Sequence, residues 1–234
     1  MYIGLYAYQT FGKKNTNANK GIHKILTNEL KNSSNKTINL DMLVSSEYTN
    51  ISVDEIKSLS KLKKDLLLIP GTSFILGEKE NNKYITHNRA HVALNGEIIF
   101  EYDKKNLCAR KDYGEDDHFN YDVKKKFFKG EKTGIFDLNF KNIKTCGIEI
   151  CRDNEYKSLY DDGIKKVDLQ VVLSCGCASK PYAVSKNGYL LSVNGDKNPT
   201  AKIMNPYSKI KPIATFDILS DKENKNDILY VYKI

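Results

Sequence analysis

Apolar and polar residues change their period several times along the chain, and each change marks an element. Tyr2 to Tyr8 alternates and is rich in Tyr, Ile and Leu, the pattern of a strand. Between Thr16 and Lys31, Ile22, Ile25, Leu26 and Leu30 fall on one face of a helix. "INLDMLVSSEY" (38–48) reads as a second strand that runs into a polar turn. In "SVDEIKSLSKLKK" (52–64), Ser52 is followed three residues later by Glu55, a capping-box pattern that predicts a helix start. "DLLLIPGTSF" (65–74) is a continuous apolar run stopped by Pro70-Gly71, which suits a strand covered on both faces.

Residues 83–102 hold two strands joined by "LNGE", whose Asn95-Gly96 is a hairpin signal. Residues 107–130 are charged and irregular, and are expected to form a long loop of the kind that often carries function. A strand is predicted over 143–150, a helix over 154–165 and a strand over 167–174. Strands "YLLSVNG" (189–195), "TAKIMNP" (200–206) and "IATFDIL" (213–219) follow. Strand–helix alternation with added hairpins implies an α/β layered fold. No repeat, linker or composition break divides the chain, so residues 1–234 are expected to form one domain.

Composition narrows the class. Hydrophobic content of 40% supports a sizeable core and argues against global disorder. The five cysteines, Cys108, Cys146, Cys151, Cys175 and Cys177, are an odd number in a long chain and do not suggest a disulfide framework. No signal-peptide pattern and no membrane-spanning apolar run stands out, so a reducing cytoplasm is the expected setting. A net charge of +8 raises nucleic acid as a partner, but the lysines are spread along the chain and no nucleic-acid motif accompanies them. They are read as a solvated surface, with no nucleic acid and no membrane expected as partner. His23, His87, His91 and His118 show no ligand spacing with the cysteines; they are read as helix and strand surface residues, and no metal is expected.

Three strand ends carry groups capable of chemistry: Glu47 after "DMLVSS", Lys104 after "EIIFEYD" and Cys151 after "CGIEI". A carboxylate beside a thiol can take its proton, and the thiolate then attacks an electrophilic carbon. A nearby ammonium stabilises the oxyanion that forms. By residue type alone, the alternatives stay open: Glu47 as a helix cap, Lys104 as a surface lysine, Cys151 as a core thiol.

The same segments carry a family resemblance. "LVSSEYTN" resembles the strand ending in Pro-Glu of the nitrilase, or carbon–nitrogen hydrolase, superfamily. "YDKKNL" resembles its Tyr-x-Lys-x-x-Leu, and "CGIEICRDNEY" its Gly-x-x-x-Cys-x-Asp. "LIPGTSF", "ALNGEIIFEYDK", "FFKGEKTGIFDL", "YLLSVNG" and "IMNPYSKI" match in family order, from the first strand to about residue 219. The resemblance implies a four-layer αββα-type sandwich, compact and with a shortened C-terminal part. It implies Glu47 as general base, Lys104 as oxyanion-stabilising cation and Cys151 as nucleophile. The amide of Arg152 is implied in the oxyanion site and Ser174 at the pocket; Asp153 is expected to cap the helix that follows rather than to touch substrate. Glu115 resembles an accessory glutamate, although Asp116 or Asp117 fits that place equally.

The implied activity is hydrolysis of the carbon–nitrogen bond of a small amide through a thioester, with no cofactor; amide is favoured over nitrile. Cys175 and Cys177 follow a strand whose end lines the family's pocket, which makes facing the substrate one option; a buried or idle pair is the favoured reading, and Cys108 and Cys146 are expected to pack. Two departures stand out. Ser46 replaces the family's proline before Glu47, and "SCGCASKPYAVSKNGYLL" is shorter than the segment that members use for the pocket wall and dimer surface. A homo-oligomer is therefore one open arrangement, and a catalytically inactive binding or assembly protein with this fold is the alternative function.

Overall fold

The computed structural model describes residues 1–9, 18–80, 83–106, 125–127, 130–161, 166–219 and 227–234. In chain order the first half forms β1 (Tyr2–Ala7), α1 (Ala18–Thr27), β2 (Leu30–Lys31), β3 (Thr37–Ile38), β4 (Met42–Ser45), α2 (Val53–Lys61), β5 (Leu67–Ile69), β6 (Thr72–Glu80), β7 (Lys83–Leu94), β8 (Glu97–Asp103) and β9 (Lys125–Phe127). The second half forms β10 (Ile135–Phe140), β11 (Ile143–Ile150), α3 (Arg152–Glu155), α4 (Ser158–Asp161), β12 (Val167–Ser174), β13 (Val184–Asn194), β14 (Thr200–Met204), β15 (Lys209–Ile210), β16 (Ala214–Asp217) and β17 (Ile228–Lys233).

Two large sheets result. The first runs β16-β17-β1-β4-β5-β7-β6, with β8 and β9 also paired to β7; the second runs β10-β11-β12-β13-β14-β15. In the first, β1, β4 and β5 are parallel; in the second, β11, β12 and β13 are parallel. Each sheet turns one row of side chains to a shared core. Ile3, Leu5, Met42, Val44 and Ile69 from the first sheet meet Ile148, Ile150, Leu169, Val171 and Leu191 from the second. Because side chains alternate along a strand, the opposite rows face outward. On the first sheet that outer row (Tyr6, Leu43, Leu68, Val231) is covered by Ile22, Ile25 and Leu26 of α1 and Ile56 and Leu59 of α2.

The layered α/β class expected from the sequence is what the chain forms, with refinements at its edges. The helix at 16–31 is α1 alone, and Leu30–Lys31 pairs as a strand with Thr37–Ile38. The capping box at Ser52 and Glu55 is present on both sides; such caps contribute about 1 kcal/mol. The 65–74 run breaks at Gly71, whose φ of 89° only glycine adopts without strain. The single helix expected over 154–165 is instead two single turns, α3 and α4. Lys157, at φ 55°, enters the left-handed region between them and ends the first. Strand β17 has no counterpart in the sequence reading; its partners are β1 and β16, and nothing local announces a pairing with the other end of the chain. The long loop expected over 107–130 lies mostly outside the described residues; Lys125–Phe127 within it forms β9.

Candidate active site

Glu47, Lys104 and Cys151 each lie just past the carboxyl end of a strand: β4, β8 and β11. The turn after β4 is fixed from a neighbouring strand. Thr72 accepts from Asn50 N and Thr49 Oγ1 through its carbonyl and from Tyr48 N through its hydroxyl. Gly71 is required here for a second reason: a Cβ on it would stand 2.0 Å from the Ser46 carbonyl. The "LIPGTSF" segment therefore acts as the cradle for Glu47.

Glu47 and Lys104 are both fully buried. Lys104 Nζ donates to Glu47 Oε1 at 2.9 Å, and Asn88 Nδ2 donates to the same oxygen at 3.0 Å. Asn88 also accepts Lys104 N through its carbonyl, so β7 holds both partners. The Lys104 ammonium stands 5.9 Å above the Tyr48 ring, and Tyr48 stacks on Phe74. A bare buried charge is expensive, and a buried pair persists only with good geometry and further hydrogen bonds; Asn88 supplies one. Past Lys104 the chain is tied down by Gly130, whose N–H donates to the Lys104 carbonyl.

Cys151 has φ 51° and ψ −105°, a strained setting for a residue with a Cβ. Its amide donates to the Leu173 carbonyl at 2.8 Å, and its thiol lies 3.9 Å from the Cys175 carbonyl. The thiol's pKa is pushed well above the usual range by a hydrogen bond with the Cys177 thiol, by burial and by the negative charge of Glu47; Lys104 opposes the rise. Glu47, Lys104 and Cys151 thus form one electrostatic unit. The resting nucleophile candidate is a protonated thiol beside a carboxylate, which calls for a base to remove the proton during attack.

Asp153 is the clearest correction. It does not cap the helix that follows; the N-cap position belongs to Cys151, and no side chain caps it. Buried Asp153 instead accepts from Tyr102 OH (2.8 Å), from Lys105 N, from Asn106 N (2.7 Å) and from Ile150 N. It joins the strand exit that bears Lys104 to the turn that bears Cys151. Its carboxyl pKa is raised by burial, with the Tyr102 hydrogen bond opposing.

The remaining expected residues fall as follows. Arg152 opens α3, while its side chain turns away to Tyr156 OH (2.9 Å) and Glu155. Ser174 is buried, with its hydroxyl near the carbonyls of Cys177 and Val193 and the Asn194 side chain. Cys146 sits in the core between the sheets. Glu115, Asp116, Asp117, Cys108 and His118 lie outside the described residues. His91 departs from a surface reading: it is fully buried on β7, with Nε2 3.3 Å from Glu101. Among the described residues no cluster of His, Cys, Asp and Glu is arranged to hold a metal, and no helix is long and apolar enough to cross a membrane. Sequence reasoning missed Asn88 and the contact of Cys177 with Cys151. The one local hint for Asn88 is a polar residue in the same alternating row as Ala90 and Val92.

The architecture is the fold seen in carbon–nitrogen hydrolases and amidases of the nitrilase superfamily. The chain is similar over 99% of its length to a carbon–nitrogen hydrolase from Helicobacter pylori G27, covering 88% of that chain with a TM-score of 0.62 at 11% identity. It is similar over 100% of its length to a variant of the nitrilase-superfamily amidase from Nesterenkonia sp. AN1, covering 91% of that chain with a TM-score of 0.61 at 12% identity. A glutamine-dependent NAD+ synthetase from Acinetobacter baumannii matches at 16% identity and a TM-score of 0.56, where the chain spans 45% of that protein. No protein-family model and no curated protein matches the sequence.

Proposed function

We propose that this protein hydrolyses the carbon–nitrogen bond of a small amide through a thioester on Cys151. The observation that carries the reading is the buried Glu47–Lys104 pair, 2.9 Å apart, whose charges both act on the Cys151 thiol. In the proposed cycle, Glu47 takes the thiol proton as sulfur attacks the carbonyl carbon. The C=O electron pair moves to oxygen, and Lys104 Nζ and the Arg152 N–H hold the oxyanion. As the tetrahedral centre collapses, the C–N bond breaks and protonated Glu47 returns its proton to the leaving nitrogen. Glu47 then takes a proton from water, hydroxide attacks the thioester, and the sulfur leaves to regain its proton. The raised thiol pKa fits this order, since the proton stays on sulfur until substrate arrives.

Structural neighbours support the class. One amidase from Nesterenkonia sp. AN1 carries a covalent acetamide group, derived from fluoroacetamide, on its active-site cysteine. Amide is favoured over nitrile as substrate on that likeness. Glu115 is proposed as the accessory acid, with Ser174 shaping the pocket through its backbone neighbours. The four free thiols among the described residues fit a reducing cytoplasm.

The test is capture of the acyl-enzyme. With short aliphatic amides and added hydroxylamine, the thioester should partition to a hydroxamate, and Cys151→Ser should yield none. Hydroxamate formed equally by the serine variant would sink the reading. A second reading, an inactive fold used for binding or assembly, is favoured by the helices that follow Cys151, α3 and α4, being single turns of four residues each. It predicts that Cys151→Ser leaves every phenotype unchanged.

A further inference from the structure

Behind the strand that carries the proposed nucleophile, a buried carboxyl group has no part in the reaction just described. Cys146, Ile148 and Ile150 face the core between the sheets, so Glu149 points to the outer side of β11, yet it is fully buried. Three side chains from three parts of the chain converge on it. Asn154 Nδ2, from α3, donates to Oε2 at 2.7 Å. Gln170 Nε2, from β12, donates to the same oxygen at 2.8 Å. The Tyr182 hydroxyl donates to Oε1.

Each of these groups also grips something else. Asn154 clamps the Lys180 peptide: its Oδ1 accepts Lys180 N at 2.8 Å and its Nδ2 reaches Lys180 O at 3.2 Å. Gln170 donates to the same carbonyl at 3.3 Å and accepts Ala183 N at 3.3 Å. Tyr182 accepts Leu159 N at 3.0 Å, which ties in α4. One carboxylate therefore orients two amides and a phenol, and these hold the backbone of 180–183.

That backbone ends a segment, "CGCASKPYA" (175–183), with no large aliphatic side chain. Hydrophobic burial has little to act on there, so directional hydrogen bonds must fix its path. The segment begins beside Cys151, whose thiol meets the Cys175 carbonyl and the Cys177 thiol. Its shortness is the main departure from the family pattern.

We propose that Glu149 is a positioning residue: through Asn154, Gln170 and Tyr182 it fixes the 175–183 segment, and with it the wall that Cys175 and Cys177 form against Cys151. The proposal rests on Cys151 being the nucleophile. Burial raises the Glu149 carboxyl pKa to about 7; the Asn154, Tyr182 and Gln170 hydrogen bonds oppose the rise and the charge of Asp153 adds to it. A carboxyl group held so far from water, with three side-chain donors, is oriented from three sides.

The test is iodoacetamide labelling with peptide mapping of Glu149→Gln, Asn154→Ser and the double variant. Loosening of the segment should make Cys151 and Cys177 react severalfold faster than in the unaltered protein, while Cys146, in the core, stays protected. Amide turnover, read separately, should fall by on the order of 100-fold, because an ångström-scale misplacement is enough. The double variant should be no worse than the stronger single one, since both changes act on one network. Unchanged Cys177 labelling in both single variants overturns the proposal. So does Cys146 labelling that rises in step, which would mark general unfolding, and so does additivity. If Glu149→Gln fails to fold, Asn154→Ser and Tyr182→Phe, which remove the links one at a time, decide by the same labelling ratio. Absence of turnover in the unaltered protein would count against the hydrolase reading alone, because the labelling pattern needs no substrate.

Discussion

The two sheets contribute different halves of the candidate site and are backed in opposite ways. The first sheet supplies Glu47 and Lys104, and its outer face is sealed by the apolar sides of α1 and α2. The second supplies Cys151. Among the described residues its outer face carries a small apolar cluster around Val172, Val184 and Leu190, Leu159 of α4 against Gly147, and beside them the polar network on Glu149. Apolar burial is strong but indifferent to direction; hydrogen bonds to a buried carboxylate add less but fix angles. The charged pair thus rests on the robust half, and Cys151 with its thiol neighbour on the directional half. Substitutions on the two sides should separate stability from placement.

The largest effect is expected at Lys104. Its replacement by Ala leaves Glu47 as an uncompensated buried charge, a change that typically destabilises by about 3–5 kcal/mol. It should also lower turnover by on the order of 100–1000-fold through loss of an oxyanion donor. Urea titration and amide turnover on the same sample read both. Next, Ile22→Ala removes a fully buried contact between α1 and the first sheet. It should destabilise by about 2–5 kcal/mol while the folded fraction keeps its turnover. A comparable loss of turnover per folded molecule would show that the two halves are not separable.

On the directional side, the expected effect depends on pH. Glu149 has its folded-state pKa raised from 4.5 to about 7, so between these values the native state binds more protons than the unfolded chain. Its contribution to stability is therefore full below about pH 4.5 and is lost as pH rises through 7, a difference of roughly 3 kcal/mol. Denaturation midpoints at acid and at mildly alkaline pH should differ more for the unaltered protein than for Glu149→Gln; equal differences would contradict the assignment. The smallest effect is at the α2 cap, remote from the site: Ser52→Ala should cost about 1 kcal/mol with turnover intact, read by thermal melting.

How much of this was legible in the sequence follows the range of each interaction. β11, β12 and the α2 cap are legible to the residue because their signals are local: an apolar run, and a Ser followed three positions later by Glu. The strand-end positions of Glu47, Lys104 and Cys151 were legible for the same reason. The Asn88 contact with Glu47 spans 41 positions and the Tyr182 contact with Glu149 spans 33, so no window of sequence contains them. Asp153 resembled a cap because acids suit helix starts, but the left-handed backbone at Cys151 turns it back toward Tyr102 and Asn106. Glu149 stood in an apolar strand with no sign that its outer face would be covered.

The central claim is that Cys151, with Glu47 and Lys104, cleaves amides. Ammonia release from a panel of short amides, measured for the unaltered protein and for Cys151→Ser at matched folded concentration, tests it most directly. The account predicts steady release by the former and none above background by the latter, with both melting at the same temperature. Equal release by the two proteins, or none by either across the panel, would contradict it.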